Sequence, residues 1–590
     1  MDRNVLLAVV LSFAVLAGWS YLVQSPPGSE RIPSGEPSYA ESPAEPASPL
    51  AVPAPEPLVP APAIAAPEGG GGRVLRVEHP LYTAEVDTLG AALRRWELHD
   101  YHEVVNGERR PIVLTTGEKP FDGAAVTPLE GLGIGNLAQV VFDLEGSDPG
   151  TLAFRFSSQG VTVRKTYVFD PDTFAFRLRL TVENRSSSSV GSDFGVYWPV
   201  HAAPGVDFTE QALVAFHAGG VERQDLRSLG TGGFFGSFTG SAPQRVFDFV
   251  GEIDWAGSQT TYFLSVLLPD DPVHARARFV TLEPGKSGVT QIFFDPVQIP
   301  PGQAATREFR AYVGPKDTER LAAIGSHVER SIDLGWSWVA PLTRLFGWLL
   351  RALYTFIPNY GVAIIVLTVM VRLVTAPLTT KQMRSMERMR EIQPRLKELQ
   401  AKHGDDRQKQ SEEMMRLYKQ EGVNPLGGCL PMVLQLPVFI GLFYALRSSI
   451  ELRQAPFFGW IDDLSAPESL FMIPGLDLPV RVLPLVMGLT MILQQRLTPM
   501  PAMDPMQARM MTTVMPVVMT AVFYQFPSGL VLYWMVSNVL AIAHQRWIGR
   551  RMRPKPKARG RAEGGVGAAR AERRRLQKSR EETGGGRVRS

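Results

Sequence analysis

Cysteine is nearly absent: Cys429 is the only one in 590 residues. No intrachain disulfide can form, which excludes a small secreted scaffold stapled by cross-links. A large exported domain must then be held by an ordinary hydrophobic core. Histidine is also scarce, with nine residues scattered along the chain, and the scatter argues against a metal site. There is no phosphate-binding P-loop, no His-Glu-x-x-His and no nucleophile elbow. The Gly131-Leu132-Gly133-Ile134-Gly135 pattern stands alone in a strand-rich region and reads as a loop. These absences argue against an enzyme, against a resident cofactor and against energy coupling by nucleotide hydrolysis. Net charge is only +3, so overall charge identifies no partner.

What is present is strongly segregated. Residues Val5 to Val23 are apolar, with Arg3 in front and Trp19 and Tyr21 at the far end. The alternatives are a cleaved signal peptide and a retained anchor. The run exceeds an ordinary signal core of about 7–15 residues and lacks a clear small-x-small site, which favours the anchor. No cysteine lies nearby to carry a lipid. The following stretch to Gly72 is rich in Pro, Ala, Glu, Ser and Gly and predicts an extended tether. From Arg73 to about Arg310, segments such as Leu152–Phe156, Thr162–Phe169 and Phe174–Leu180 alternate apolar and polar residues. Clusters such as Asp170-Pro171-Asp172 separate them. This is the pattern of a large antiparallel β-sandwich. Around Thr318 to Leu353 the pattern becomes helical and amphipathic, suited to lying in a membrane interface.

Five apolar runs follow, at Tyr360–Leu378, Leu426–Leu446, Pro479–Leu493, Thr512–Phe526 and Gly529–Ala543. Pro527-Ser528 joins the last two as a tight turn. With the anchor they make six expected spans, five of them forming a helical core. The stretch Lys381–Gln420 is dense in Lys and Arg, as is the tail from Arg546. The loop Ser448–Leu478 has Arg453 as its only basic residue, beside five acidic ones. The positive-inside rule places the basic segments and both termini in the cytoplasm and the β-domain outside. The expected organisation is an anchor at 1–24, a linker at 25–72, a β-sandwich at 73–317 and an interfacial helix at 318–357. A helical core at 358–547 carries a hairpin at 379–421, and a basic tail occupies 548–590.

The chemistry-bearing residue is Arg372, inside the first of these apolar runs. A guanidinium there costs about 3 kcal/mol on insertion scales unless it reaches water or a partner. It lies some six residues, or about 9 Å, from the end of its span. Both snorkelling to the headgroups and a wet cavity between helices are open to it. Gln435, Gln494 and Gln495 lie in or near other spans. They suit either a hydrophilic groove or ordinary interhelical hydrogen bonding. Lys381–Gln420 reads as a helical hairpin broken at His403-Gly404-Asp405-Asp406, with Pro394 kinking its first arm. Met383, Met386 and Met389, then Met414 and Met415, form either an adaptable landing surface for apolar segments or a seam between the arms. The basic tail suits contact with ribosomal RNA or with anionic lipid.

The helical half resembles the bacterial YidC/Oxa/Alb family of membrane protein insertases. The resemblance rests on Val371-Arg372, Ala376-Pro377-Leu378-Thr379, Asn424-Pro425-Leu426-Gly427-Gly428-Cys429, Gln435-Leu436-Pro437, Glu451–Phe457 and Phe526–Tyr533, in that order and spacing. The anchor and large β-domain are similar to the family's Gram-negative form. The resemblance implies a galactose-mutarotase-like supersandwich in the periplasm and an inner-membrane location. It implies that Arg372 lines a hydrophilic groove, with Thr368, Gln435, Phe439, Met487, Val522 and Trp534 near the substrate path. The implied partners are nascent membrane proteins, the Sec translocon, the ribosome and membrane lipids, with no cofactor. Two rivals are a solute transporter using Arg372 to bind an anion and a tethered carbohydrate enzyme. The first lacks the expected internal repeats; for the second no acid–base pair assembles from the sequence.

Overall fold

The structure is a computed structural model. It describes residues 72–105, 108–116, 123–201, 211–226, 245–402, 407–421, 430–473, 478–497, 506, 509–552 and 572–577. The expected anchor, nearly all of the linker, the break at His403–Asp406 and most of the basic tail lie outside the described residues. The chain divides into two compact units. The first takes the described residues of Met1–Tyr360 with Leu436–Ala466, the second those of Gly361–Gln435 and Pro467–Ser590.

In the first unit the expected alternation produces strands. Ala175–Asn184 buries Phe176, Leu178, Leu180 and Val182 and turns Arg177 and Arg179 outward. It pairs antiparallel with Val161–Phe169, from Val161 opposite Asn184 to Phe169 opposite Phe176. The link turns on Asp170, whose Oδ1 accepts from the backbone N–H groups of Asp172 and Thr173 at 3.0 Å each. An Asx turn of this kind reverses the chain without a glycine. Among the described residues, one nine-stranded sheet runs from Gly220–Asp225 at one edge to Asp143–Asp148 at the other. Two four-stranded sheets accompany it, one formed by Val74–Thr116 and one centred on Ala275–Glu283 and Ser287–Phe294.

A single aromatic-rich core joins these sheets, with Tyr82, Trp96, Phe176, Trp198, Trp255 and Phe279 inside it. The rings of Tyr82 and Trp96 stack at 3.9 Å. Full burial of such side chains contributes roughly 1.5–3 kcal/mol each. Lys165 is also fully buried. Its Nζ donates to the carbonyls of Gly90 (3.2 Å) and Ala125 (2.6 Å) and to Thr127 Oγ1 (3.4 Å). Burial pushes its amine down to about 7.

The helical pattern expected from Thr318 to Leu353 is interrupted. Helix α1 (Thr318–Ile324) is capped by Asp317, whose Oδ1 accepts from Glu319 N and Arg320 N. It stops at Gly325, where φ is +81°, a value glycine adopts without strain. Helix α2 (Ala340–Phe356) buries Thr343, Phe346 and Leu350 on one face. It leaves Leu345, Trp348 and Phe356 exposed on others.

The second unit is helical. Helix α3 (Tyr360–Glu391) is 32 residues long, about 48 Å at helical rise. It runs past the apolar segment directly into the first arm of the hairpin. That arm breaks at Ile392, where α4 (Gln393–Lys402) begins with Pro394 in its first turn. Proline supplies no N–H to the preceding turn, so the break falls just before it. Helix α5 (Arg407–Gln420) forms the second arm, and Ile392, Leu396 and Leu417 pack between the arms with Leu399, Met414 and Tyr418. Helix α6 (Leu430–Ser448) crosses the division between the units. Helix α7 covers Val482–Leu497. A π-helical turn at Met510–Val514 leads into α8 (Met515–Phe523), and α9 (Ser528–Met552) follows.

Two expected spans are redrawn. The run expected to start a helix at Pro479 instead ends a strand pair, Phe471–Ile473 with Leu478–Val480. The helix starts later, where Glu468 Oε1 accepts the Leu483 N–H at 2.7 Å. The last helix extends beyond Ala543 to Met552, because hydropathy marks where lipid ends and not where a helix must end. Of the described helices, Tyr360–Lys381 is long and apolar enough to cross a membrane, while Val482–Leu497 and Met510–Phe523 are shorter apolar helices.

Candidate functional site: a guanidinium among helices

Helix α9 is the hub of the second unit. Its Tyr533 hydroxyl accepts from Gln435 Nε2 at 3.2 Å. Ser537 accepts from Arg372, and Asn538 Nδ2 donates to Thr490 Oγ1 at 3.3 Å. The ring of Trp534 lies 4.7 Å from that of Phe523 on α8. His544 Nε2 pairs with Thr380 Oγ1 at 3.1 Å. Helices α7 and α8 approach closely at Gly488, where an added Cβ would lie 2.1 Å from Thr520 Oγ1. A side chain there would push the two helices apart.

On α3, Thr368, Arg372, Thr375 and Thr379 recur at intervals of four, three and four, which is one helix face. Thr368, Thr375 and Thr379 satisfy their hydroxyls on carbonyls one turn back, at 2.6, 2.9 and 2.9 Å. Arg372 instead reaches across to α9. Its Nε donates to Ser537 Oγ at 3.0 Å, and a terminal nitrogen donates to the same oxygen. Ser537 is buried and sits nine residues past the first residue of α9, about 14 Å along its axis. Among the described residues no carboxylate pairs with Arg372. A guanidinium carries five N–H donors, so this one retains donors and an uncompensated positive charge. Such a group can hold a carboxylate or a backbone carbonyl transiently.

Arg372, Thr368, Gln435, Met487, Val522 and Trp534 all fall in the second unit, and Phe439 falls in the first. Thr368 and Met487 are buried, Gln435 and Trp534 are half-buried, and Val522 is exposed. Met383 is buried on α3 and Met414 joins the seam between the hairpin arms, while Met415 is exposed. Met386 and Met389 lie on α3, with side chains outside the described ones. Gln494 and Gln495 lie within α7, near its end. Sequence reasoning passed over Ser537 and took Tyr533 only as the end of the Phe526–Tyr533 motif, with no role at the site. The signal was available: Tyr533, Ser537 and His544 are spaced by four and seven, which puts three polar groups on one face of an apolar helix.

Comparison with known proteins finds two family matches along the chain. The family "60Kd inner membrane protein" matches residues 352–555, and "YidC periplasmic domain" matches residues 74–349. The chain is 37% identical to a membrane protein insertase YidC of Nitratidesulfovibrio vulgaris strain DP4, covering 93% of this chain and 99% of that protein. It is 35% identical to the YidC of Geobacter metallireducens, covering 93% and 98%. A crystal structure of an active YidC insertase, with its first transmembrane segment resolved, aligns at a TM-score of 0.34 and 18% identity. That alignment covers 80% of this chain and 93% of the other. The β-domain is thus periplasmic and the protein belongs to the inner membrane. The relatives are membrane protein insertases, and the chain belongs to the YidC family of membrane protein insertases.

Proposed function

We propose that this insertase works through a hydrophilic groove in which Arg372 is the receiving charge. A nascent apolar segment first docks on the hairpin formed by the end of α3 with α4 and α5, where Met415 is exposed. Its polar flank or acidic residue then rests against the Arg372 guanidinium while the apolar part enters lipid. Apolar burial drives the transfer at about 25 cal/mol per Å². The groove lowers the barrier for the polar part, which hydrocarbon alone rejects. No bond is made or broken. Thr368, Gln435, Met487, Val522 and Trp534, all within the second unit, line the path in this reading.

Six spans, counting the anchor at 1–24, carry the protein across the membrane with both termini cytoplasmic. The linker at 25–72 tethers the β-domain at 73–317, a mutarotase-like supersandwich. The segment 318–357 lies along the interface, the core occupies 358–547 with its hairpin at 379–421, and the tail occupies 548–590. The basic tail contacts the ribosome, and the Sec translocon delivers part of the substrate load.

The observation that carries this reading is the half-buried guanidinium of Arg372, bonded to Ser537 and paired with no carboxylate among the described residues. A charge-assisted contact to substrate contributes roughly 1.5–3 kcal/mol. Arg372→Ala is therefore expected to slow insertion of a substrate with an acidic flank about tenfold or more in proteoliposomes. Arg372→Lys retains the charge and should keep most of the activity. Undiminished insertion of every dependent substrate by Arg372→Ala would falsify the role of the charge.

A further inference from the structure

The strand pair before α7 carries no polar side chain. Phe471, Met472 and Ile473 pair with Val480, Pro479 and Leu478. Phe471 (54% exposed), Met472 and Leu478 are exposed, as is the adjacent Leu470. A pleated ribbon places neighbouring residues on opposite faces, so this one is apolar on both. In water such an exposed apolar edge is a site for aggregation.

Its roots are fixed to the ends of two helices. Glu468, just before the ribbon, caps α7 through the Leu483 N–H. Tyr524, just after α8, donates its hydroxyl to Pro479 O and accepts the Arg481 N–H at 3.4 Å. The Arg481 guanidinium lies 5.1 Å from the centre of the Tyr524 ring and donates to the Tyr524 carbonyl. The ribbon is therefore held where α7 begins and α8 ends.

Helix α7 has 16 residues, about 24 Å of length, against about 30 Å of hydrocarbon. Three residues of strand add about 10 Å. Along the chain, the strand Leu478–Val480 is followed by Arg481 and then by α7, on which Leu485, Val486, Leu489 and Leu493 are exposed. We infer that the ribbon formed by Phe471–Ile473 and Leu478–Val480 is a lipid-contacting element, bedded in the leaflet at the α7 N-terminus, where it makes up the apolar height that this short helix lacks. Lipid is the occupant because exposed apolar residues stand on both elements, which adjoin in the chain of an inner-membrane protein. The inference rests on the reading that α7 crosses the membrane.

The test uses the full chain with Cys429→Ser and single cysteines introduced by Phe471→Cys, Met472→Cys and Leu478→Cys. Leu489→Cys marks the helix, and Val141→Cys marks an exposed position on the β-domain. Each is labelled with an environment-sensitive nitrobenzoxadiazole dye in phosphatidylethanolamine–phosphatidylglycerol vesicles. Quenching is compared between spin-labelled acyl chains and aqueous iodide. The ribbon positions are expected to show blue-shifted emission and acyl-chain quenching close to that of Leu489→Cys, with Val141→Cys quenched by iodide alone. Ribbon positions that match Val141→Cys while Leu489→Cys is quenched by lipid overturn the inference and leave the span intact. Loss of lipid quenching at Leu489→Cys overturns the span and the inference together.

Discussion

The two units treat large apolar side chains in opposite ways. In the β-domain Trp96, Trp198 and Trp255 are essentially inaccessible. In the helical unit Leu373, Val374, Leu489 and Val517 stand mostly exposed. One chain cannot follow both rules in one solvent. The β-domain hides its apolar residues as a domain in water must, and the helical unit of this inner-membrane protein presents apolar residues of the kind that hydrocarbon accepts. Polarity inverts accordingly: the helical unit turns Arg372 toward Ser537, and the β-domain displays Arg177 and Arg179 on its surface.

The largest expected break in this contrast is in the β-domain core. Trp96→Ala should cost roughly 3–5 kcal/mol, read as a lower denaturation midpoint and earlier proteolysis of the β-domain in detergent-solubilised protein. A matched pair sharpens the difference of solvent. Leu489 and Val273 are exposed to similar extents, 66% and 64%. Leu489→Arg should destabilise by about 3 kcal/mol in lipid bicelles. Val273→Arg should change stability by no more than about 0.5 kcal/mol. Equal effects from the two would mean that α7 does not face lipid.

Lys165 tests the β-domain interior from the polar side. Its folded value lies near 7, below the ordinary 10.5. Between those values the unfolded chain binds the extra proton, so stability rises as pH increases through the window. The slope is at most about 1.4 kcal/mol per pH unit. Lys165→Met should flatten that rise, as measured by denaturant titration at several pH values. The smallest effect is at the edge: Asp317→Ala removes the α1 cap at a cost of about 1 kcal/mol, visible as faster amide exchange in the first turn.

The β-strands were legible because water on one side and core on the other impose a period of two. Lys165 follows that rule, sharing its face with Val163 and Tyr167, and a reading that trusted period over residue type finds it. The apolar helices were legible as hydropathy, but their limits were not. Helices α3 and α9 continue through charged sequence because helical hydrogen bonds do not depend on lipid. The ribbon at Phe471–Val480 was hidden for the opposite reason: uniformly apolar strands do not alternate, and they merge with the run that follows. Arg372 was conspicuous as a charge in an apolar run. Its partner Ser537 was not, since serine is common in helices and only its spacing from Tyr533 and His544 marks it.

Helix α3 has one more consequence. The apolar stretch and the first part of the hairpin arm, as far as Glu391, are one continuous helix with Pro377 inside it, so a change of tilt at one end appears as displacement at the other. Over about 48 Å, a swing of about ten degrees moves the far end by about 8 Å. In the mechanism proposed above, this continuity couples a polypeptide docked on the arm to the segment that holds the guanidinium, and contact outside the bilayer becomes motion within it.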